Sequence, residues 1–440
     1  MGEEYAIRLE EGCDEPETNR IASGRRPGKG AIDLSAVSTQ RERLPQLDTF
    51  RALAILGVIH VHATSAAVFE SVDLKAFYLI NFLNVFFRYG TPAFIMLSSF
   101  VLFYNYYDRP LTGRLVMGFY KKRILYILLP YFLISAVYFV YKMHVAGTLG
   151  TGIESREMML TRFWTNLSEG TAYTHLYFVY ISVQFYILFP LLLMLFKSSK
   201  WFVRWAIPIG LVLQWAFVFW NRYELQSQTK ASYAITYLSY YMIGAVLAIH
   251  FDKIRGWLMY DGKQMPPMTR SWNRVLWFCW SMVVVMHVWF YQEIRLGHMA
   301  PSSLYYELFW NLHTMLTALV LMRTSFVLYR RAPKFLVRWL TRLGELSFAI
   351  YLLHPLVLGF YREGKTWVFD HIPSGSMTYF AWVCGGTIVS LAVSWIFAKV
   401  VMRWIPGAWM LLGSIPYSIR RKKKRAPKAE RDGRPVPKHS

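Results

Sequence analysis

Ten runs of about 20 mainly apolar residues recur along the chain, near 50–69, 77–104, 124–143, 175–196, 202–220, 231–250, 273–291, 303–322, 345–361 and 377–401. Each is long enough to cross a hydrocarbon core of about 30 Å as a helix. In lipid every backbone N–H and C=O must find its partner within the protein, which leaves only helices and closed barrels; runs of this length select helices. The second run is over-long and interrupted by Arg88, Gly90 and Pro92, so it divides into a short interfacial piece and a span starting near Thr91. Composition agrees: 55% of the 440 residues are hydrophobic and only 17% charged, against about a quarter charged in a soluble domain. The sequence predicts an all-α, polytopic integral membrane protein of about ten transmembrane helices.

The formal net charge of +23 is distributed by side. With the N-terminus inside, the four inner loops carry 19 Lys/Arg and the five outer loops 9, as cytoplasmic retention of positive charge requires. Both termini are therefore expected in the cytoplasm. Residues 1–45 form a tail without an apolar signal-peptide core, so the first span is expected to act as an uncleaved signal. Residues 46–405 form the membrane domain, and 406–440 a basic tail with the run RRKKKR at 420–425. Both tails, rich in Gly, Pro and charge, are expected to be disordered. A basic segment beside a membrane is drawn to anionic lipid, and that reading is preferred over nucleic-acid binding. Cys13, Cys279 and Cys384 are too scattered for a disulfide framework or a zinc site, and no metal is expected.

Ionisable residues inside spans are costly and mark function. The first span, LDTFRALAILGVIHVHATSAAVF, is the richest, with Asp48, Arg51, His60 and His62. Eleven residues separate Arg51 from His62, which places them within about 20° of one helical face and about 16 Å apart along the axis. His60 projects from the opposite side. One reading is a single ligand met at two depths, by a guanidinium suited to phosphate and an imidazole suited to proton transfer. The other makes Arg51 one more positive-inside residue and His62 a hydrogen-bonder to a neighbouring helix.

Asp48-x-x-Arg51 followed by ten residues and His62 resembles the N-terminal signature of the acyltransferase-3 family, integral membrane acyltransferases that modify surface glycans and related acceptors. The likeness runs over about residues 45–400. RYGTPAFIMLSSFVLF is similar to the family's segment ending in Ser-Gly-Phe, matched by Pro92, Phe94, Ser98 and Phe100; YKKRILYILLPYF resembles its basic segment before span three; His175-Leu176-Tyr177 resembles the start of a central span, and LGELSFAIYLLHPLVL its penultimate span. Two positions depart from the pattern. Ser99 replaces the usual Gly, and Tyr126 stands where many members carry a second Arg. The form without that Arg is similar to the intercellular-adhesin polysaccharide branch, read as either acylation or export.

The resemblance implies transfer of an acyl group, acetyl first among the choices, from cytoplasmic acyl-CoA to a hydroxyl of a lipid-linked or cell-surface carbohydrate across a bacterial cytoplasmic membrane. Acyl-CoA would be a co-substrate with no permanently bound cofactor, and a partner acyl-transfer protein is a further implied possibility. Arg51, Lys121, Lys122 and Arg123 would hold the CoA phosphates. His62 would then act as general base or carry the acyl group as nucleophile. Arg88, Ser98, His175 and Tyr177 are placed at the acceptor or oxyanion, Arg88 having an ion pair with an outer-loop carboxylate as its alternative and the aromatics an anchoring role at the interface.

His354 and Ser347, seven residues apart on span nine, share a face but lack an acid beside them, and a serine-hydrolase triad is set aside. His287 and His313 read as interhelical hydrogen-bonders. No Gly-rich phosphate loop, zinc motif or DxD-type signature appears, which argues against an ATP-driven pump or a glycosyltransferase. The competing classes are a glycan exporter, which would need a continuous polar passage, and a receptor-like or scaffolding protein, which leaves the Arg51/His62 register unexplained.

Overall fold

The computed structural model describes residues 41–72, 76–148, 155–260, 263–368, 372 and 376–419. Its secondary structure is helical, with no strand among the described residues. In chain order the helices are α1 (Gln46–Thr64), α2 (Ala67–Glu70), α3 (Phe77–Phe86), α4 (Gly90–Tyr106), α5 (Gly113–Arg123), α6 (Leu129–Val145), α7 (Arg156–Glu169), α8 (Tyr177–Ser198) and α9 (Lys200–Trp220). There follow α10 (Leu238–Ile249), α11 (Phe251–Met259), α12 (Pro267–Arg295), α13 (Ser303–Arg331), α14 (Lys334–Glu345), α15 (Ser347–Val368), α16 (Met377–Trp404) and α17 (Trp409–Leu412).

Among the described residues, seven helical stretches are long and apolar enough to cross a membrane, and nine if each of two bent pairs counts as one. The bent pairs are Ala234–Ile249 with Phe251–Met259, at 92°, and Lys334–Glu345 with Ser347–Gly364, at 76°. The run expected at 50–69 is occupied by α1, which is not among the nine because its four ionisable residues lower its apolar content. Residues 77–104 divide as expected, α3 ending at Phe86 and α4 beginning at Gly90.

α1 tolerates those residues because it is central. It packs against α3, α4, α13, α14, α15 and α16, and Phe50, Ala52, Ala54, Ile55 and Ile59 are fully buried. The outer helices show the opposite pattern: α12 presents Trp272, Phe278, Met282 and Val285 outward, as a lipid-facing surface requires. Polar side chains turn inward and satisfy one another. Gln214 donates to Asn311 at 2.6 Å and accepts from the Ser239 amide and hydroxyl at 3.0 and 2.6 Å.

Two close helix contacts rest on glycine. A Cβ on Gly344 of α14 would overlap the backbone carbonyl of Asp48 on α1. One on Gly244 of α10 would overlap the Met96 carbonyl of α4 and come within 3.0 Å of the Ser99 side chain. Ser99 is fully buried and donates to the Tyr241 carbonyl at 2.6 Å. The small residue for the α4/α10 approach is thus on α10, and Ser99 serves as an interhelical donor.

Most of the two expected tails, 1–40 and 420–440, lies outside the described residues. Residues 406–419 are folded against the membrane domain: Leu412 is buried, and Gly413, at φ 82°, packs against Phe348. The folded domain therefore continues past the expected limit of 405, to residue 419.

Candidate functional site: a cationic cavity and a buried histidine cluster

A cavity of about 1060 Å³ opens at the Arg51 end of α1, at the upper limit of ordinary ligand pockets. Arg43, Asp48 and Arg51 line it from α1 and the segment before it, Ser98 from α4, Lys122 and Arg123 from α5, and Tyr126 from the π-helical turn Ile124–Leu128. Glu345, Tyr351, Phe178 and Tyr417 complete the parts of the wall that bear on its chemistry.

The carboxylates are used internally. Asp48 pairs with Arg51 one turn on and accepts from Arg43 at 2.6 Å, while Arg43 reaches Glu345 at 2.7 Å. Glu345 also accepts the Ser418 amide at 3.0 Å, which ties the segment after α17 to the rim. Burial works against the Arg43 charge, but hydrogen bonds and charge from Glu345 and Asp48 outweigh it and hold its guanidinium above its usual value. Lys122 and Arg123 pair with no carboxylate among the described residues. The Arg123 guanidinium lies over the Tyr186 and Phe119 rings, at 4.8 and 5.2 Å, with its Nε buried and unpartnered. With four cations and two carboxylates on its walls, both carboxylates already engaged, the cavity is suited to an anionic ligand.

Aromatic rings form part of the cavity wall. Tyr351 and Phe178 stand 5.4 Å apart by centroid, with Phe94 5.9 Å from Phe178. Behind Tyr351 are three histidines from three parts of the chain. The His62 ring is 5.2 Å from His354 and 6.4 Å from His175, and His175 and His354 are 5.6 Å apart. His175 lies 5.0 Å from the Tyr351 ring, whose hydroxyl donates to the His175 carbonyl. None of the three lines the cavity.

The local sequence of α15 explains the geometry at His354. Pro355 has no N–H and displaces the carbonyl four residues earlier, which is that of Tyr351. The His354 Nδ1 fills the gap, 2.9 Å from the Tyr351 oxygen and 3.1 Å from that of Ile350. One turn on, the Tyr138 hydroxyl of α6 is inserted into the helix ladder, donating to the Leu352 carbonyl at 2.9 Å and accepting the Leu356 amide at 3.1 Å. Inserted side chains of this kind are a recognised cause of helix distortion. At the outer end of the cluster, Arg362 donates to the His62 carbonyl at 2.7 Å.

The structure thus gathers Arg51, Ser98, Lys122 and Arg123 around one cavity, and His62 and His175 into one cluster. It leaves Lys121 off the cavity wall. Tyr177 bonds Thr91 at 3.0 Å. Arg88 is on the other side of α1: it donates to Asn84 at 3.1 Å, lies over the Tyr291 ring at 4.2 Å, and Asn84 in turn donates to Thr64. The acceptor or oxyanion role expected for Arg88 at His62 has no geometric support, and it makes no ion pair among the described residues. His60 stacks on Phe87 at 4.2 Å, away from the cluster. His287 and His313 meet nitrogen to nitrogen at 2.8 Å. Among the described residues no group of three His, Cys, Asp or Glu could hold a metal ion.

Sequence reasoning missed His354, Tyr351, Arg43 and Glu345 as parts of the site. A signal for the first two was present: Tyr351-x-x-His354-Pro355 puts two polar rings on one face of an apolar helix, directly before a proline that frees a carbonyl.

These features describe a multi-pass membrane protein with a cationic cavity beside a histidine cluster. The chain belongs to the acyltransferase-3 family: the family model described as an acyltransferase domain matches residues 44–399. It is a multi-pass membrane O-acyltransferase. Neither curated proteins nor solved structures gave a match.

Proposed function

We propose that the enzyme takes an acyl group, acetyl in the first instance, from acyl-CoA in the cationic cavity and passes it at His62 to a carbohydrate hydroxyl arriving from the other side of the membrane. One observation carries this reading. Tyr351 lines the cavity with Arg51, Lys122 and Arg123 and also lies 5.0 Å from His175, a member of the cluster with His62. Phosphates would be held by the guanidinium and ammonium groups, with the thioester directed inward to the rings of Tyr351 and Phe178. The positive-inside distribution supports a cytoplasmic mouth for the cavity, and on this reading the basic tails would meet anionic lipid of a bacterial cytoplasmic membrane.

Two routes balance. As general base, His62 accepts the acceptor's hydroxyl proton while that oxygen attacks the thioester carbonyl; the C–O bond forms, the C–S bond breaks, and the thiolate departs with the proton. As nucleophile, a His62 nitrogen attacks the thioester carbonyl, the C–S bond breaks and CoA leaves as the thiol with the proton of the acylated ring; the acceptor oxygen then attacks the acyl-histidine, the C–N bond breaks, and the hydroxyl proton returns to the imidazole. Trapping a labelled acyl-histidine on rapid quench supports the second route; its absence during full turnover supports the first. Export of glycan without acyl chemistry requires a continuous polar passage, whereas none of the three clustered histidines lines the cavity.

The test is radiolabelled acetyl-CoA binding and thioester turnover in nanodiscs, wild type against His62→Ala. Loss of turnover by about 10²–10⁴-fold, the usual weight of acid–base catalysis, with donor binding retained, is expected. Undiminished turnover in the variant would remove His62 from the chemistry, and a folded wild type that binds no acyl-CoA would return the exporter to first place.

A further inference from the structure

The tautomer of His354 is fixed by the fold. Its Nδ1 faces two carbonyl oxygens, those of Tyr351 and Ile350, which can only accept, so Nδ1 carries the proton. In the neutral ring Nε2 is then an acceptor with no proton of its own. That Nε2 is buried and has no hydrogen-bond partner, a costly state for a polar atom in a dry interior. The neighbouring His62 ring, 5.2 Å away between centroids, likewise has no hydrogen-bond partner among the described residues. At that separation a rotation of the His62 ring brings two nitrogens within the hydrogen-bond range of about 3 Å.

We infer that His354 is the positioning residue for His62: its Nε2 accepts the N–H of His62 and so leaves the other His62 nitrogen bare and aimed at the substrate. The inference rests on the acyl-transfer reading above and deepens it. Which nitrogen of a histidine is free is set by the bond its other nitrogen makes. His175, at 6.4 Å and edge-on to His62, is farther away, and its ring is held by no carbonyl pair of this kind. Pro355 is the origin of the arrangement, because the carbonyl it frees is the one that orients His354. No proton leaves His354 in this role.

Two substitutions separate positioning from simple packing. In His354→Asn the amide nitrogen overlies the place of Nδ1 and keeps the cap on the Tyr351 carbonyl, but nothing replaces Nε2. In His354→Gln the amide oxygen reaches the place of Nε2 and the cap is lost. With acetyl-CoA as the probe in nanodiscs, His354→Asn is expected to keep its thermal midpoint and donor KM while kcat falls by about a hundredfold, and His354→Gln to recover most of that loss. Wild-type turnover in His354→Asn, or equal loss in both variants, would overturn the inference. Should His354→Asn fail to fold, ¹⁵N-histidine spectra of the wild type decide: a single His62 tautomer supports the assignment and an even mixture refutes it. A wild type that never turns over acetyl-CoA removes the parent reading and this inference with it, a result distinct from active wild type with active variants.

Discussion

Gly344→Ala is the sharpest structural test of how the cavity is held. The added methyl would overlap the Asp48 carbonyl and lie 3.0 Å from the Asp48 Cα. The obstacle is backbone, with no side chain to swing aside, so α1 and α14 must separate at that point. Overpacking of this kind costs about 1–3 kcal/mol, and a backbone obstacle puts the cost near the upper figure. The same shift moves Asp48 away from Arg43, whose other partner, Glu345, is the residue beside the substituted glycine. Arg51, paired with Asp48, moves with them. Gly118→Ala is the matched control, since nothing lies within 4 Å of a Cβ there and a helix-interior glycine yields up to about 1 kcal/mol on exchange for alanine. Tryptophan-fluorescence melts and labelled acetyl-CoA binding, run on both variants, give the answer. The expected result is a lowered transition and weakened donor binding for Gly344→Ala, with an unchanged or raised transition and normal binding for Gly118→Ala. Wild-type stability and binding in Gly344→Ala would refute the claim that the α1/α14 contact sets the cavity rim.

Further outcomes follow from the same geometry. Arg123→Gln should weaken acyl-CoA binding by about tenfold, the loss of one charge-assisted bond of about 1.5 kcal/mol; exposed Lys122 should matter less, and Lys121→Gln should leave the dissociation constant within error. His60→Ala should keep most thioester turnover, because His60 stacks on Phe87 away from the cluster, and loss equal to that of His62→Ala would sink the two-face argument. Tyr138→Phe removes the hydroxyl shared by Leu352 and Leu356 and should lower the thermal transition, by an amount corresponding to about 1–3 kcal/mol for a buried group left unpaired; an unchanged melt would mean that α15 closes its own ladder.

The sequence carried the helical class and the Arg51/His62 register because both depend on local periodicity. About 3.6 residues per turn decide which side chains share a face of α1, and the structure places His62 and His60 on different neighbours as that period requires. What the sequence could not carry is depth and azimuth between helices. Arg88 looked like a residue of the His62 site because both belong to the membrane interior, but α1 stands between them. His354 looked unremarkable because its partners are 292 residues away at His62 and 179 away at His175, and no short-range pattern reports such a meeting. Lys121 and Lys122 are adjacent, and only the direction in which α5 turns decides which of them reaches the cavity.

The rings of Tyr351 and Phe178 that line the cavity have a bearing on the cell as a whole. A membrane enzyme that joined two aqueous compartments through an open polar shaft would short-circuit the ion gradients that power the membrane, since each elementary charge crossing 100 mV dissipates about 2.3 kcal/mol. On the acyl-transfer reading, these rings would let a small neutral acyl group be handed across while giving protons and metal cations no file of water to follow. Vesicles carrying this protein should therefore hold a proton gradient as well as empty ones do, and removing one of these rings, as in Phe178→Ala, is where leakage should first appear.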